Sequence, residues 1–213
     1  MTVILETLEV NKKFNHLASD EQIEKTAKAL EVHGISTMVF ETGGAAREYV
    51  LTLIPSGAEV YNPPSRTLDE IGLTTAIEAA VNFQSARSRL HALDRTTQQP
   101  EIRKLISSPD IVIGSVHAIT EQGEVLVASA SGTQLGSAAA GASKVIWVVG
   151  TQKLVPTLEE GFRRIREYSY PLENMRTLQT YGKPSAINKI LIVNREPQSG
   201  RITIILVKEN LGF

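Results

Sequence analysis

The chain has 213 residues, 42% hydrophobic and 21% charged, the composition of an ordinary water-soluble folded protein with one domain. Its formal net charge of -1 provides no overall field for nucleic acid or an anionic membrane surface, so neither is expected as a partner. With no cysteine it excludes disulfides, thiolate-held zinc, protein-held iron–sulfur clusters and cysteine nucleophiles. Its four histidines show no paired or HExxH spacing, so no metal site and no bound cofactor are expected.

No apolar run approaches the roughly 18 residues of a spanning helix. The first residues, MTVILETLEVNKKF, lack a basic segment ahead of a long apolar stretch, so the expected location is the cytoplasm.

Ser19 followed by Gln22 is a capping box, and Ile23, Ala27 and Leu30 repeat at helical spacing, predicting a helix over about 20–33 that Gly34 ends. Ile35–Phe40 is a short apolar strand running into Thr42-Gly43-Gly44, and Ala46, Tyr49, Val50 and Leu53 form the next helical stripe, stopped by Pro55. Helix, strand, glycine turn, helix is the order of a parallel sheet. Ala58–Tyr61 is a second strand. From Thr67, which with Glu70 forms another capping pattern, to Ser108 the chain reads as nearly all helix, an insertion-like block.

Two apolar strands, Ile111–Ile119 and one entered at Val125, flank Glu121-Gln122-Gly123. Small residues from Ser129 to Gly141 follow, then the fully apolar run Val145–Val149. Side chains that small let backbone approach either a ligand or another chain segment. Thr157 and Glu160 cap a helix lined by Leu158, Phe162 and Ile165, with Glu159/Arg163 and Glu160/Arg164 pairing on its surface. Ile187–Val193 and Ile202–Val207 read as two strands joined by Pro197-Gln198-Ser199-Gly200 in a hairpin. The predicted fold is α/β, a mostly parallel sheet with flanking helices and an antiparallel C-terminal hairpin.

Three segments could carry chemistry. Thr42, Gly43 and Gly44 stand at the C-terminal end of a strand, where free helix amides can hold an anion, or where they form a tight turn. Glu121, at the end of an apolar strand, could act as nucleophile or general base, or be a solvated turn residue. Ser131, Gly132 and Thr133 offer hydroxyls and amides to a phosphate or carboxylate, while the alanine-rich stretch behind them suits close packing on the sheet. His117 reads as a strand histidine satisfied by a neighbour. Ser65 and Thr67 are hydroxyl donors or caps; Lys183 and Lys189, flanking Pro184-Ser185-Ala186-Ile187-Asn188, can present cations to an anionic ligand or be solvated surface lysines, and Asn188 is a further polar candidate there.

Thr120–Val127, the small-residue loop, Val145–Gly150 and the Thr157–Arg166 helix together resemble the LUD domain family, typified by lactate utilisation protein C. Leu53–Val60, Ser65–Gly72 and Lys183–Lys189 are similar to that family too, so the resemblance spans about residues 20–195 of a single domain over 1–213. It implies a NagB/RpiA/CoA-transferase-like fold and a link to bacterial oxidation of L-lactate to pyruvate. Partners would be a small anionic or phosphorylated ligand and iron–sulfur and oxidoreductase subunits, with an oligomer open. Lacking cysteine, this chain would be an accessory or ligand-binding subunit rather than the cluster carrier. Glu121-Gln122-Gly123 also resembles the Glu-Asn-Gly turn of CoA transferases, which implies a nucleophilic role for Glu121 in an enzyme of CoA-transferase or sugar-phosphate-isomerase type. A non-catalytic structural subunit is the remaining alternative. The residues expected to converge on a ligand are Thr42–Gly44, Ser65–Thr67, Glu121 and Ser131–Thr133.

Overall fold

A computed structural model describes residues 8–94 and 96–213. The first half runs α1 (Asp20–Val32), β1 (Ser36–Phe40), α2 (Gly43–Thr52), β2 (Glu59–Tyr61), α3 (Arg66–Glu70), α4 (Leu73–Ala79), β3 (Gln84–Ser85), α5 (Ala86–His91) and α6 (Gln99–Ser107). It continues with β4 (Ile111–Gly114), β5 (Ala118–Thr120), β6 (Val125–Ser129), α7 (Thr133–Gly136), β7 (Lys144–Gly150), β8 (Leu154–Val155), α8 (Leu158–Arg164), α9 (Tyr170–Tyr181), β9 (Lys189–Val193) and β10 (Ile202–Val207). The caps predicted at Ser19 and Thr157 operate, their side chains accepting from the Gln22 and Glu160 amides, and Thr42, read as part of a turn or anion site, caps α2 through the Ala45 amide. At α3 it is Ser65, not Thr67, that caps, accepting from the Leu68 amide.

A six-stranded sheet in the order β1-β10-β7-β4-β2-β3 is parallel throughout, and a four-stranded sheet in the order β8-β5-β6-β9 packs beside it. Ile146 and Val148 of β7 face the cluster formed with α2, α3 and α4, while Val145, Trp147 and Val149 face the one containing α1 and α6. Burial on both faces is why this strand is a continuous apolar run rather than an alternating one. Within 67–108 the helices α3 to α6 are joined by irregular segments, and β3 adds an edge strand to the main sheet.

Two strand expectations are corrected. The C-terminal hairpin does not form: β9 pairs antiparallel with β6, and β10 inserts between β1 and β7. All six residues of β10 are buried, and an apolar run of that kind is satisfied only at a sheet centre covered on both faces; β9 is half-buried and takes an edge. Nor is Ile111–Ile119 one strand. It leaves the main sheet after Gly114 and enters the second at Ala118, so Ser115, Val116 and His117 bridge the two sheets.

The small residues meet other chain segments. A Cβ on Gly123, whose φ is +90°, would stand 3.0 Å from the backbone of Ala29 in α1, and one on Gly141 would lie 1.7 Å from the Ser107 carbonyl oxygen. Ser137–Gly141 form a π turn, and Arg201 ties it down through the Ala138 and Ala142 carbonyls while pairing with buried Glu196 at 2.6 Å.

A candidate anion-binding cavity

Parallel strands end where the backbone fans out, and ligands of α/β sheets occupy that crevice. Here the chain beyond β2 supplies Pro63–Thr67, beyond β4 Ser115–His117, and beyond β7 Lys153. Ala128–Ser131 from the second sheet, α9 and the Lys183–Ile187 segment complete the walls of a cavity of about 570 Å³, ample for a small organic ligand.

At its base sits Lys153, 2% exposed, in the short 3-10 turn Thr151–Lys153. Its Nζ donates to Thr67 Oγ1 at 2.9 Å and Ser115 Oγ at 3.1 Å. Thr67 Oγ1 in turn donates to the Leu211 carbonyl at 3.2 Å, so it can only accept from the lysine. Beside it Arg164, fully buried, donates Nε to the Gln152 carbonyl at 3.3 Å, and Nη1 to the His117 carbonyl and to Ser169 Oγ at 3.0 Å. Its guanidinium lies over the Tyr168 ring, 5.1 Å from the centroid, and Nη2 has no partner. α8 passes into α9 through a π turn, Ile165–Ser169, which brings Ser169 back toward Arg164.

Among the described residues no carboxylate pairs with either buried cation. Desolvation, then the nearby Arg164, holds the Lys153 ammonium well below the usual lysine range against the smaller opposing field of Glu70, and desolvation lowers Arg164 to about 10. Burial and the charges of Lys153 and Arg164 drive His117 down to about 3, so its ring is neutral. Because His117 Nδ1 accepts the Ala128 N–H at 3.1 Å, the ring proton resides on Nε2, an available donor on the cavity wall.

Of the residues expected to touch a ligand, Ser65, Thr67, Ser131, Thr133 and Lys183 line this cavity. Gly132, with φ +85°, shapes the loop: a Cβ there would press to 2.7 Å on the Lys189 side chain, whose Nζ holds the Ser131 carbonyl at 3.1 Å. Asn188 braces the same loop, donating to the Ala130 carbonyl at 3.1 Å.

The other expected members lie elsewhere, so the anticipated convergence does not occur. The amide of Gly43 at the start of α2 donates to Glu209 Oε2 at 3.1 Å, and Thr42 caps the helix, so an internal carboxylate already satisfies that N-terminus. Gly44 follows in the same turn, away from the cavity walls. Glu121 stands at the turn end of the β5–β6 pair, whereas His117 and Ser129 are at the cavity end, and its carboxylate is held by Lys25 at 2.6 Å. Glu121→Ala is expected to leave ligand binding in the cavity unchanged and to lower stability by no more than about 0.5 kcal/mol, measured by calorimetric titration and urea unfolding.

Sequence reasoning missed Lys153 and misplaced Arg164. The helical spacing that pairs Glu160 with Arg164 is shared by Arg163, and it is Arg163 that bonds both Glu160 and Glu167 while Arg164 turns inward. The available signal was Lys153 itself, a lone charge between the apolar runs Val145–Val149 and Leu154–Val155 just past a strand end.

The molecule is an α/β domain with a cavity beyond the ends of its parallel strands, at whose base Lys153 is buried. Residues 23–207 match the model of the LUD domain, and the chain belongs to that family, which is associated with lactate utilisation. Among solved structures, a DUF162 family protein from Deinococcus radiodurans shares 12% identity with a TM-score of 0.54, covering 90% of this chain and 99% of its own. That likeness shows the fold. eIF2B delta from Chaetomium thermophilum is 17% identical with a TM-score of 0.38, covering 67% of this chain and 54% of its own. No curated protein matches the sequence. No helix among the described residues is long and apolar enough to cross a membrane.

Proposed function

We propose that this LUD-domain chain is a ligand-binding component of lactate utilisation that takes a small carboxylate or phosphate-bearing molecule in the cavity above Lys153. The observation that carries the reading is the buried ammonium without a carboxylate, a second buried cation beside it. A charge removed from water costs several kcal/mol unless paired, and an anionic ligand would supply the missing counter-charge. Further out the lining mixes charges: Arg66 paired with Glu70, Arg176 paired with Glu173, Asp69, and exposed Lys183, whose ammonium is unmatched by an ion pair among the described residues. The ring proton of His117 and the hydroxyls of Ser131 and Thr133 would orient the bound oxygens. These 213 residues contain no cysteine, so an iron–sulfur cluster in any lactate-oxidising assembly would belong to another subunit.

The test is a thermal-shift and calorimetric series with lactate, pyruvate, inorganic phosphate and ribose 5-phosphate, using neutral lactamide as control. A bound anion at a hundredfold its Kd should stabilise the chain by about 2.7 kcal/mol, and lactamide should not. Equal response to lactamide, or no response to any anion, removes the reading.

A further inference from the structure

We propose that Lys153 is a nucleophilic amine that condenses with the carbonyl carbon of a 2-oxo carboxylate held in the cavity, forming an imine. The inference rests on the anion-binding reading above and adds a covalent step to it. Two observations separate this lysine from a merely buried one. First, its partners are hydroxyls alone: Thr67 Oγ1 at 2.9 Å and Ser115 Oγ at 3.1 Å. Arg201, by contrast, a buried cation that ties down the Ala138 and Ala142 carbonyls, has Glu196 at 2.6 Å. Once the ammonium has given up its proton, the amine donates its two hydrogens to those two hydroxyls and keeps its lone pair free, which is the state a nucleophile needs. Burial favours that state, since an ammonium taken out of water gives up its proton more readily.

Second, a neighbouring hydrogen-bond donor suits the carbonyl oxygen on which negative charge develops during attack. His117 lies two residues beyond Ser115 on the segment that bridges the sheets, lines the same cavity and carries its proton on Nε2. Attack of the Nζ lone pair forms a C–N bond, and the carbonyl oxygen takes a proton as the nitrogen gives one up, which yields a carbinolamine. Cleavage of its C–O bond expels the hydroxyl as water and leaves C=N, so one amine and one carbonyl become one imine and one water with no oxidant or reductant. Arg164 and the lining cations offset the ligand carboxylate throughout.

The experiment incubates the full chain with pyruvate or 2-oxoglutarate, reduces with sodium borohydride and locates adducts by intact mass and peptide mapping, with thermal shift recorded on the same mixtures. The expected result is one adduct on Lys153, heavier by the oxo acid less one oxygen atom. It should be absent with lactate and absent from Lys153→Met and Lys153→Arg, the second of which retains the positive charge. A thermal shift with pyruvate but no adduct overturns the imine while leaving the anion site standing. Adducts distributed over surface lysines and unchanged in Lys153→Arg also overturn it. No shift with any anion, and no adduct, removes both readings together.

Discussion

Lys153→Met should yield a protein that is more stable than the original and has lost its ligand. Methionine matches the length of the lysine stem and adapts to an irregular site, while the substitution removes an ammonium that is 2% exposed and unpaired with any described carboxylate. Replacing buried charge with apolar volume stabilises by about 1–3 kcal/mol, or roughly 3–10 °C in Tm for a domain of this size. Thr67 remains satisfied through the Leu211 carbonyl, which limits the loss from the broken hydrogen bonds. Anion affinity should fall at least about 30-fold, the equivalent of roughly 2 kcal/mol.

The pH dependence follows the same physics. The folded-state lysine holds its proton less tightly than the ordinary unfolded lysine, so between the depressed folded value and about 10.4 the unfolded chain binds more protons and stability rises with pH. Methionine at 153 should flatten that rise. Urea unfolding of both proteins from neutral pH to about pH 10 checks gain and slope together; a destabilised variant with an unaltered slope would mean that the ammonium is compensated in the fold.

Arg201→Met should act in the opposite sense, costing about 3–5 kcal/mol and roughly 10 °C or more in Tm. Glu196 and Arg201 are 7% and 6% exposed at their side chains and only 2.6 Å apart, so removing the cation strands a buried carboxylate. It also strips the Ala138 and Ala142 carbonyls of their donor, loosening the π turn that packs against Ser107. Adding Glu196→Gln should recover part of the loss, because the two side chains are in contact and their effects are not additive. Equilibrium unfolding of the single and double variants measures this; equal stability of Arg201→Met and the parent would show that the pair contributes nothing. Two buried cations in one chain thus respond oppositely to the same substitution, since one is bonded to a carboxylate and the other to hydroxyls alone.

Local signals were read well because local physics decides them. A side-chain oxygen at Ser19, Thr42 or Thr157 caps whichever helix follows it, and apolar runs such as Val145–Val149 must be buried whatever their partners. Ser65, Thr67, Ser131, Thr133 and Lys183 were legible as polar residues at loop positions, and all line the cavity. Less legible was Glu121, which has the right chemistry at the end of a strand but at the wrong end of the β5–β6 pair. Arg163 and Arg164 are adjacent, each compatible with a surface pair; only the docking of α8 under the second sheet turns one outward and the other inward.

By itself the sequence determined the α/β class, the starts of α1 and α8, the apolar strands β1 and β7 and the family. The tertiary structure alone decided that β10 enters the sheet centre while β9 joins another sheet, that the chain changes sheets at Ser115–His117, and that Lys153 and Arg164 meet without a carboxylate. Capping and periodicity act within a few residues. Strand partnership and the pairing of buried charges are settled by groups far apart in the chain, brought together by burial of both faces of the sheet.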